Sequence, residues 1–423
     1  MTVHRTPDDL DLARFLKPGD RIVLGQACGE PTTLVDALIA QGGGIGDLSA
    51  FIATSFSGLL TPEATEAFAV TSMGAIGALR GLAKAHRLGI IPCHVSQVGP
   101  MIENGTLPCD AAFVQVSPAD ADGNHSLGLV SDYVLAAVAR ARVVVAEANE
   151  RVPRTPGATL PADAIDCAVH VSREPVEVPP APITPVDEAI AAHAAAYVED
   201  GSVLQTGVGA VPDALLRLLR DRRDLGVHSG MLGDGLVDLV EAGVVTNARK
   251  KIDRGVSING ALIGTRRLYD FAHRNPALRM CPTSYTHDPA VLARVERLVT
   301  VNSALEVDLT GQVNAEQSGP SYVGGTGGQV DFVRAGARSP GGHALMVLPS
   351  TAKNGTVSRI TPALSGPVTT ARTDVDVVIT EYGSAELRGR SLPERARLLT
   401  AIAHPAFRDM LEEAARTLRK RGF

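Results

Sequence analysis

The 423-residue sequence has no tryptophan and few other aromatics, six tyrosines and nine phenylalanines. Its cores must therefore be built from small aliphatic side chains. The chain is too long for one core and suits two α/β domains. Five cysteines (Cys28, Cys93, Cys109, Cys167 and Cys281) are scattered, with no Cys-x-x-Cys pair and no Cys/His spacing of a zinc site. No metal is expected. The first nine residues lack a charged-then-apolar leader pattern, and no apolar run reaches membrane-spanning length. A cytoplasmic protein with free thiols and no membrane partner is the expectation. The net charge is -6. The one basic cluster, Arg416, Arg419, Lys420 and Arg421, suits the C-terminal end of a helix dipole, which excludes a nucleic-acid surface. The nucleophile-elbow, zinc-protease and Walker-lysine motifs are also missing.

What is present is a regular alternation of apolar runs and amphipathic stretches. Strands are expected at 21–24, 48–52, 89–95, 111–116 and 143–146, with helices at 34–41, 75–86 and 133–142 between them. Continuous apolar strands separated by helices indicate parallel sheet covered on both faces. Five prolines within residues 174–185 exclude helix and central strand there, so this segment reads as an extended linker. The alternation resumes with a helix at 186–198, strands at 298–302, 344–348 and 375–379, and a last helix at 405–420. The expected organisation is a domain at 1–173, the linker 174–185 and a domain at 186–423. A strand closing on a glycine turn recurs near Gly25 and near Gly207, a hint of tandem related domains.

The second domain is organised around Gln205-Thr206-Gly207-Val208-Gly209, a strand running into a glycine turn and a helix at 213–221. Gly207 and Gly209 let backbone approach a ligand closely, and the following helix start favours negative charge. The same pattern also serves as an ordinary α/β turn. Gly324-Gly325-Thr326-Gly327-Gly328 places four glycines in five positions, which points to a close ligand or backbone approach, with free amides for a phosphate or oxyanion. Lys353-Asn354-Gly355 and Arg359 lie among hydroxyl residues and suit an anionic ligand such as a nucleotide phosphate; an exposed hairpin has the same pattern. The loop 117–128 is rich in Asp, Gly and Asn but lacks the closing glutamate of a calcium loop, so it reads as a structural turn.

Together these motifs resemble the acetyl-CoA hydrolase/transferase family, which contains 4-hydroxybutyrate and succinyl-CoA:acetate CoA-transferases. The resemblance runs through most of the chain. It includes Gly29-Glu30-Pro31, Gln115-Val116-Ser117-Pro118, Asp132-Tyr133, Gly207-Val208-Gly209, Ala304-Leu305-Glu306-Val307-Asp308, the 324–332 loop, 352–360 and Thr380-Glu381-Tyr382-Gly383. It implies two tandem open parallel-sheet domains with the active site in the cleft between them. It further implies acyl-CoA as substrate, a small second substrate, and a homo-oligomer. In such enzymes a glutamate attacks the thioester and passes through an anhydride and a glutamyl-CoA thioester. The resemblance assigns the oxyanion hole to the amides of Val208 and of Gly327 or Gly328.

At one position the sequence departs from this pattern. Where the resemblance expects the glutamate, the chain reads His228-Ser229-Gly230-Met231, and Gly230 cannot form an anhydride. Three readings follow. The scaffold either hydrolyses acyl-CoA or transfers the acyl group by other chemistry, with Cys93 as a candidate acyl carrier and His228 as a candidate base. Alternatively another carboxylate, such as Glu306, Glu316 or Glu30, sustains CoA transfer. In the third reading the chain binds acyl-CoA without catalysis. Buried cysteines and core histidines are the structural counterparts of the first assignments.

Overall fold

A computed structural model describes residues 2–420. The first half forms an eight-stranded sheet in which every neighbouring pair is parallel. Its order is Val3–Arg5, Cys167–Val171, Val143–Asn149, Ala111–Val116, Arg21–Leu24, Leu48–Phe51, Phe68–Ser72 and Leu88–Ile90. Two interior strands, Ala111–Val116 and Val143–Asn149, are buried at every residue. Such strands need helices on both faces, and Thr32–Ile45, Val95–Glu103 and Val134–Arg140 supply part of that cover.

The second half holds a six-stranded sheet in the order Gly226–Val227, Val203–Thr206, Leu298–Ser303, His343–Val347, Val377–Thr380 and Gly383–Glu386. Only the last strand is antiparallel. The α/β class and paired parallel sheets agree with the reading of the sequence. The cores are aliphatic, and one cluster joins Cys28, Leu129 and Val130 of the first half to Leu204, Leu262 and Val299 of the second.

Several local boundaries differ from expectation, and three of the differences have a plain physical reason. The strand expected at 89–95 stops at Ile90, and a helix starts at Val95 because the Gln97 side chain accepts from the His94 amide at 2.9 Å. Cys93 and His94 therefore lie on a loop, not on a strand. The helix expected at 75–86 is confined to Leu79–Lys84, because the Ala75 amide is taken by the Gly324 carbonyl at 2.8 Å. The helix after Gly209 starts at Ala210 rather than 213. Gly209, at φ +131°, makes the turn, and Pro212 falls in the first helical turn, where an amide proton has no intrahelical partner.

The proline-rich segment has neither helix nor strand between residues 172 and 184, yet it is tied down. Val178 donates its amide to Gly264 at 2.9 Å, and the Tyr269 hydroxyl donates to the Val176 carbonyl at 2.5 Å. The loop 117–128 is a structural turn. Asp120 accepts from the amides of Asp122 and Asn124 and pairs with Arg154.

Candidate functional site

The strand Val203–Thr206 delivers Gly207-Val208-Gly209 to the start of the helix Ala210–Leu218. A Cβ added at Gly207 or Gly209 would meet nothing within 4 Å, so this turn faces open space. Beside it lies a cavity of about 110 Å³, lined by Val208, Gly209, Asp213, Gly233 and the proline-rich residues Val178 to Ala181.

The neighbouring strand Gly226–Val227 leads into His228-Ser229-Gly230. Ser229 donates its hydroxyl to the Thr206 carbonyl at 3.1 Å. The Gly230 carbonyl accepts from the amides of Gly260 and Ala261 at 3.2 and 3.0 Å. Gly230 is not among the glycines with positive φ, so its backbone does not demand glycine. Space does. A Cβ on Gly230 would stand 2.7 Å from Cε1 and 2.9 Å from Nε2 of His287.

Gly328 tells the same story from the other side. Its φ of -95° suits any residue, yet a Cβ there would stand 2.4 Å from His287 Nε2. Two bare positions, far apart in sequence, thus form a slot filled by one imidazole. Phe332 closes it, with ring centroids 4.6 Å apart. His287 Nδ1 lies 2.8 Å from Thr286 Oγ1. Burial, then the neighbouring His228, lowers the His287 pKa to about 3. His287 lines a second cavity of about 380 Å³, whose walls include Asp331, Arg334, Arg338 and Asp374.

The other glycines of the 324–328 loop have different reasons. A Cβ on Gly324 would lie 2.2 Å from the Ala315 carbonyl, and Gly325 packs on Gly74 as an antiparallel bridge. Here close approach is protein on protein. The Gly327 carbonyl accepts from the Val95 amide at 2.9 Å, and Thr326 Oγ1 donates to the Cys93 carbonyl. The loop is thereby docked on the first half of the chain. Gly327 itself has φ +51° and open space around its would-be Cβ.

The remaining predicted residues lie as follows. Cys93 is buried in the core of the first half, and desolvation pushes its thiol up to about 11, which opposes thiolate formation. His228 is fully buried. Its Nε2 lies 3.1 Å from the Thr286 carbonyl, its Nδ1 has no partner, and burial followed by Lys250 lowers its pKa to about 4. Glu306 accepts from Asn314 Nδ2, the Ser365 amide and hydroxyl, and the Gly366 amide. Glu316 is held by Tyr322 and Thr369, and Glu30 by Ser55 and Ser57. All three carboxylates serve the protein's own hydroxyls and amides.

Lys353, Asn354 and Gly355 form the exposed tip of a hairpin between Thr351–Ala352 and Val357–Ser358, with left-handed backbone at all three. Arg359 turns back to the Ala304 carbonyl at 3.4 Å. His287, Thr286 and Phe332 were not read from the sequence as site residues. The stretch Tyr285-Thr286-His287-Asp288-Pro289 matches no catalytic motif, and its nearness to Gly230 is a tertiary contact. Among the described residues no cluster of His, Cys, Asp and Glu is placed to hold a metal, and no helix is long and apolar enough to cross a membrane.

Comparison with known proteins places the chain in a family. The acetyl-CoA hydrolase/transferase N-terminal domain model matches residues 8–180, and the corresponding C-terminal domain model matches residues 264–415. The 4-hydroxybutyrate coenzyme A transferase of Clostridium kluyveri is 39% identical over 92% of this chain and 92% of that protein. The succinyl-CoA:cyclohexane-1-carboxylate CoA transferase of Geobacter metallireducens is 37% identical over 97% of this chain and 95% of that protein. Among solved structures, RipA from Yersinia pestis superposes with a TM-score of 0.93 at 34% identity, covering 99% of this chain and 98% of that one. The 4-hydroxybutyrate CoA-transferase of Porphyromonas gingivalis superposes with a TM-score of 0.83, also at 34% identity, with the same coverage. The chain belongs to the acetyl-CoA hydrolase/transferase family.

Proposed function

We propose that this protein hydrolyses acyl-CoA thioesters and forms no glutamyl-CoA intermediate. The observation that carries the reading is the slot at Gly230. The position expected to hold the nucleophilic carboxylate has no side chain, and the volume in front of it is filled by His287. The carboxylates otherwise available for CoA transfer, Glu306 first among them, are engaged by neighbouring donors. The oxyanion donors of the reading are the amide of Val208, at the open glycine turn, and that of Gly327 or Gly328, beside the imidazole. Two such amides polarise the thioester carbonyl and hold the charge of the tetrahedral intermediate. Lys353, Asn354, Gly355 and Arg359 remain candidates for the anionic end of CoA, together with Gly207 and Gly209.

The test is thiol release from acetyl-, butyryl-, succinyl- and 4-hydroxybutyryl-CoA without any added carboxylate. Turnover with at least one of these substrates is expected. Exchange of labelled acetate into acetyl-CoA should be absent or far slower. Exchange at a rate matching thiol release would overturn the reading and return the protein to the CoA-transferases proper.

A further inference from the structure

We propose that His287 is the catalytic base of this site, with Nε2 taking a proton from the water that attacks the thioester. The inference rests on the hydrolase reading above and goes beyond it by naming the group that does the chemistry.

Three observations carry it. The first is position: a Cβ added at Gly230 or at Gly328 would collide with the ring. Two residues far apart in sequence are glycine around one imidazole, so the ring occupies the place between the strand end and the glycine loop. The second is the tautomer. Thr286 Oγ1 lies 3.3 Å from the Pro282 carbonyl and donates to it, which leaves the oxygen to accept Nδ1–H of His287 at 2.8 Å. The proton therefore sits on Nδ1 and the lone pair on Nε2. His228, the other buried histidine here, points its Nε2 at the Thr286 carbonyl and so has its proton committed there. The third is a neighbouring space: His287 forms part of the wall of the 380 Å³ cavity.

The step balances. Water oxygen attacks the thioester carbonyl carbon as Nε2 accepts one water proton. The resulting oxyanion rests on the Gly328 amide. Its collapse breaks the C–S bond, and Nε2–H returns the proton to the departing CoA sulfur. The products are the carboxylic acid, which ionises in water, and free CoA thiol. Because burial keeps the resting imidazole neutral, the lone pair is available at neutral pH. The nearby oxyanion is the charge that lets the ring hold a proton during the step.

The experiment compares wild type with His287→Gln on the substrate panel, using thiol release under steady-state and pre-steady-state conditions. The expected result is a fall in kcat of about 10²- to 10⁴-fold, the usual worth of a general base, with KM within a few-fold. No burst of thiol is expected in wild type. Wild-type kcat in His287→Gln overturns the role of His287 alone. A wild-type burst with an acyl group on His287 overturns the base in favour of a nucleophile. Wild type inert towards the whole panel overturns the hydrolase reading itself. Should His287→Gln fail to fold, Thr286→Val decides. It keeps the ring and removes its Nδ1 acceptor, so a drop in kcat at unchanged KM supports the proposal and a wild-type kcat overturns it.

Discussion

The imidazole of His287 stands where a side chain on Gly230 would have to go, 2.7 Å from the site of its Cβ. Positions 230, 287 and 328 are thus one unit, and a change at one is read through the others.

Gly230→Ala tests that coupling. At a position with ordinary φ this change normally stabilises by about 0.4–1 kcal/mol through the unfolded state. Here the methyl group meets the ring, and overpacking costs about 1–3 kcal/mol. The single variant should therefore be destabilised in urea. Gly230→Ala with His287→Ala should recover much of that loss in a double-mutant cycle.

The same geometry governs any attempt to restore a carboxylate. Gly230→Glu alone should neither fold well nor exchange CoA, because the imidazole blocks the new side chain. Gly230→Glu combined with His287→Ala opens the slot and should create carboxylate-dependent CoA exchange, measured with labelled acetate. Exchange by the single variant would show that His287 yields easily.

Acid should weaken the fold through the buried histidines. An unfolded histidine titrates near ~6.5. In the fold, burial lowers His287 to about 3 and His228 to about 4. Between those values the unfolded chain binds protons that the native state does not, so stability is full above pH ~6.5 and falls as pH drops towards 4. Each group contributes a slope of about 1.4 kcal/mol per pH unit. Buried Asp132, raised to about 7, works in the opposite sense, losing stability as pH rises towards 7. Comparing wild type with His287→Gln isolates one histidine: the variant's urea-derived stability should depend less steeply on pH from 6.5 to 4.

Glu306 should prove to be a clamp. Its carboxylate accepts from two backbone amides at 2.7 and 3.2 Å and from the Ser365 hydroxyl. Hydrogen bonds to a charged acceptor contribute about 1.5–3 kcal/mol, so Glu306→Gln should lower stability by that order. Retained thiol release in the folded variant is the expected kinetic result, and selective loss of turnover at unchanged stability would make Glu306 a participant.

The five thiols should be silent. All are buried, and desolvation raises Cys28 and Cys93 to about 11 and Cys109 to about 12. Native protein should react with a disulfide reagent at pH 8 at least ~100-fold more slowly than free cysteine, while denatured protein titrates five groups.

Much of the architecture was legible in the sequence because it depends on local pattern. Runs such as Ala111–Val116 are apolar throughout, and only a doubly covered parallel strand suits them. Proline density excluded regular structure at 174–185, which holds as far as 184, Pro185 being the first residue of a helix, and Gly207-Val208-Gly209 announced a turn. The ordered motifs identified the family, and the proposal at Gly230 grew from the glutamate that the resemblance leads one to expect there. Tertiary structure alone decided why each glycine is bare. Gly324 and Gly325 give way to protein backbone, Gly207 and Gly209 face open space, and Gly230 and Gly328 give way to His287. It also turned Glu306 inward onto Ser365 and sank Cys93 into a core. The physical reason is range: a strand or turn is specified by residues a few positions apart, whereas the Gly230–His287 slot is set by packing between segments 57 positions apart, the difference of their numbers in the chain.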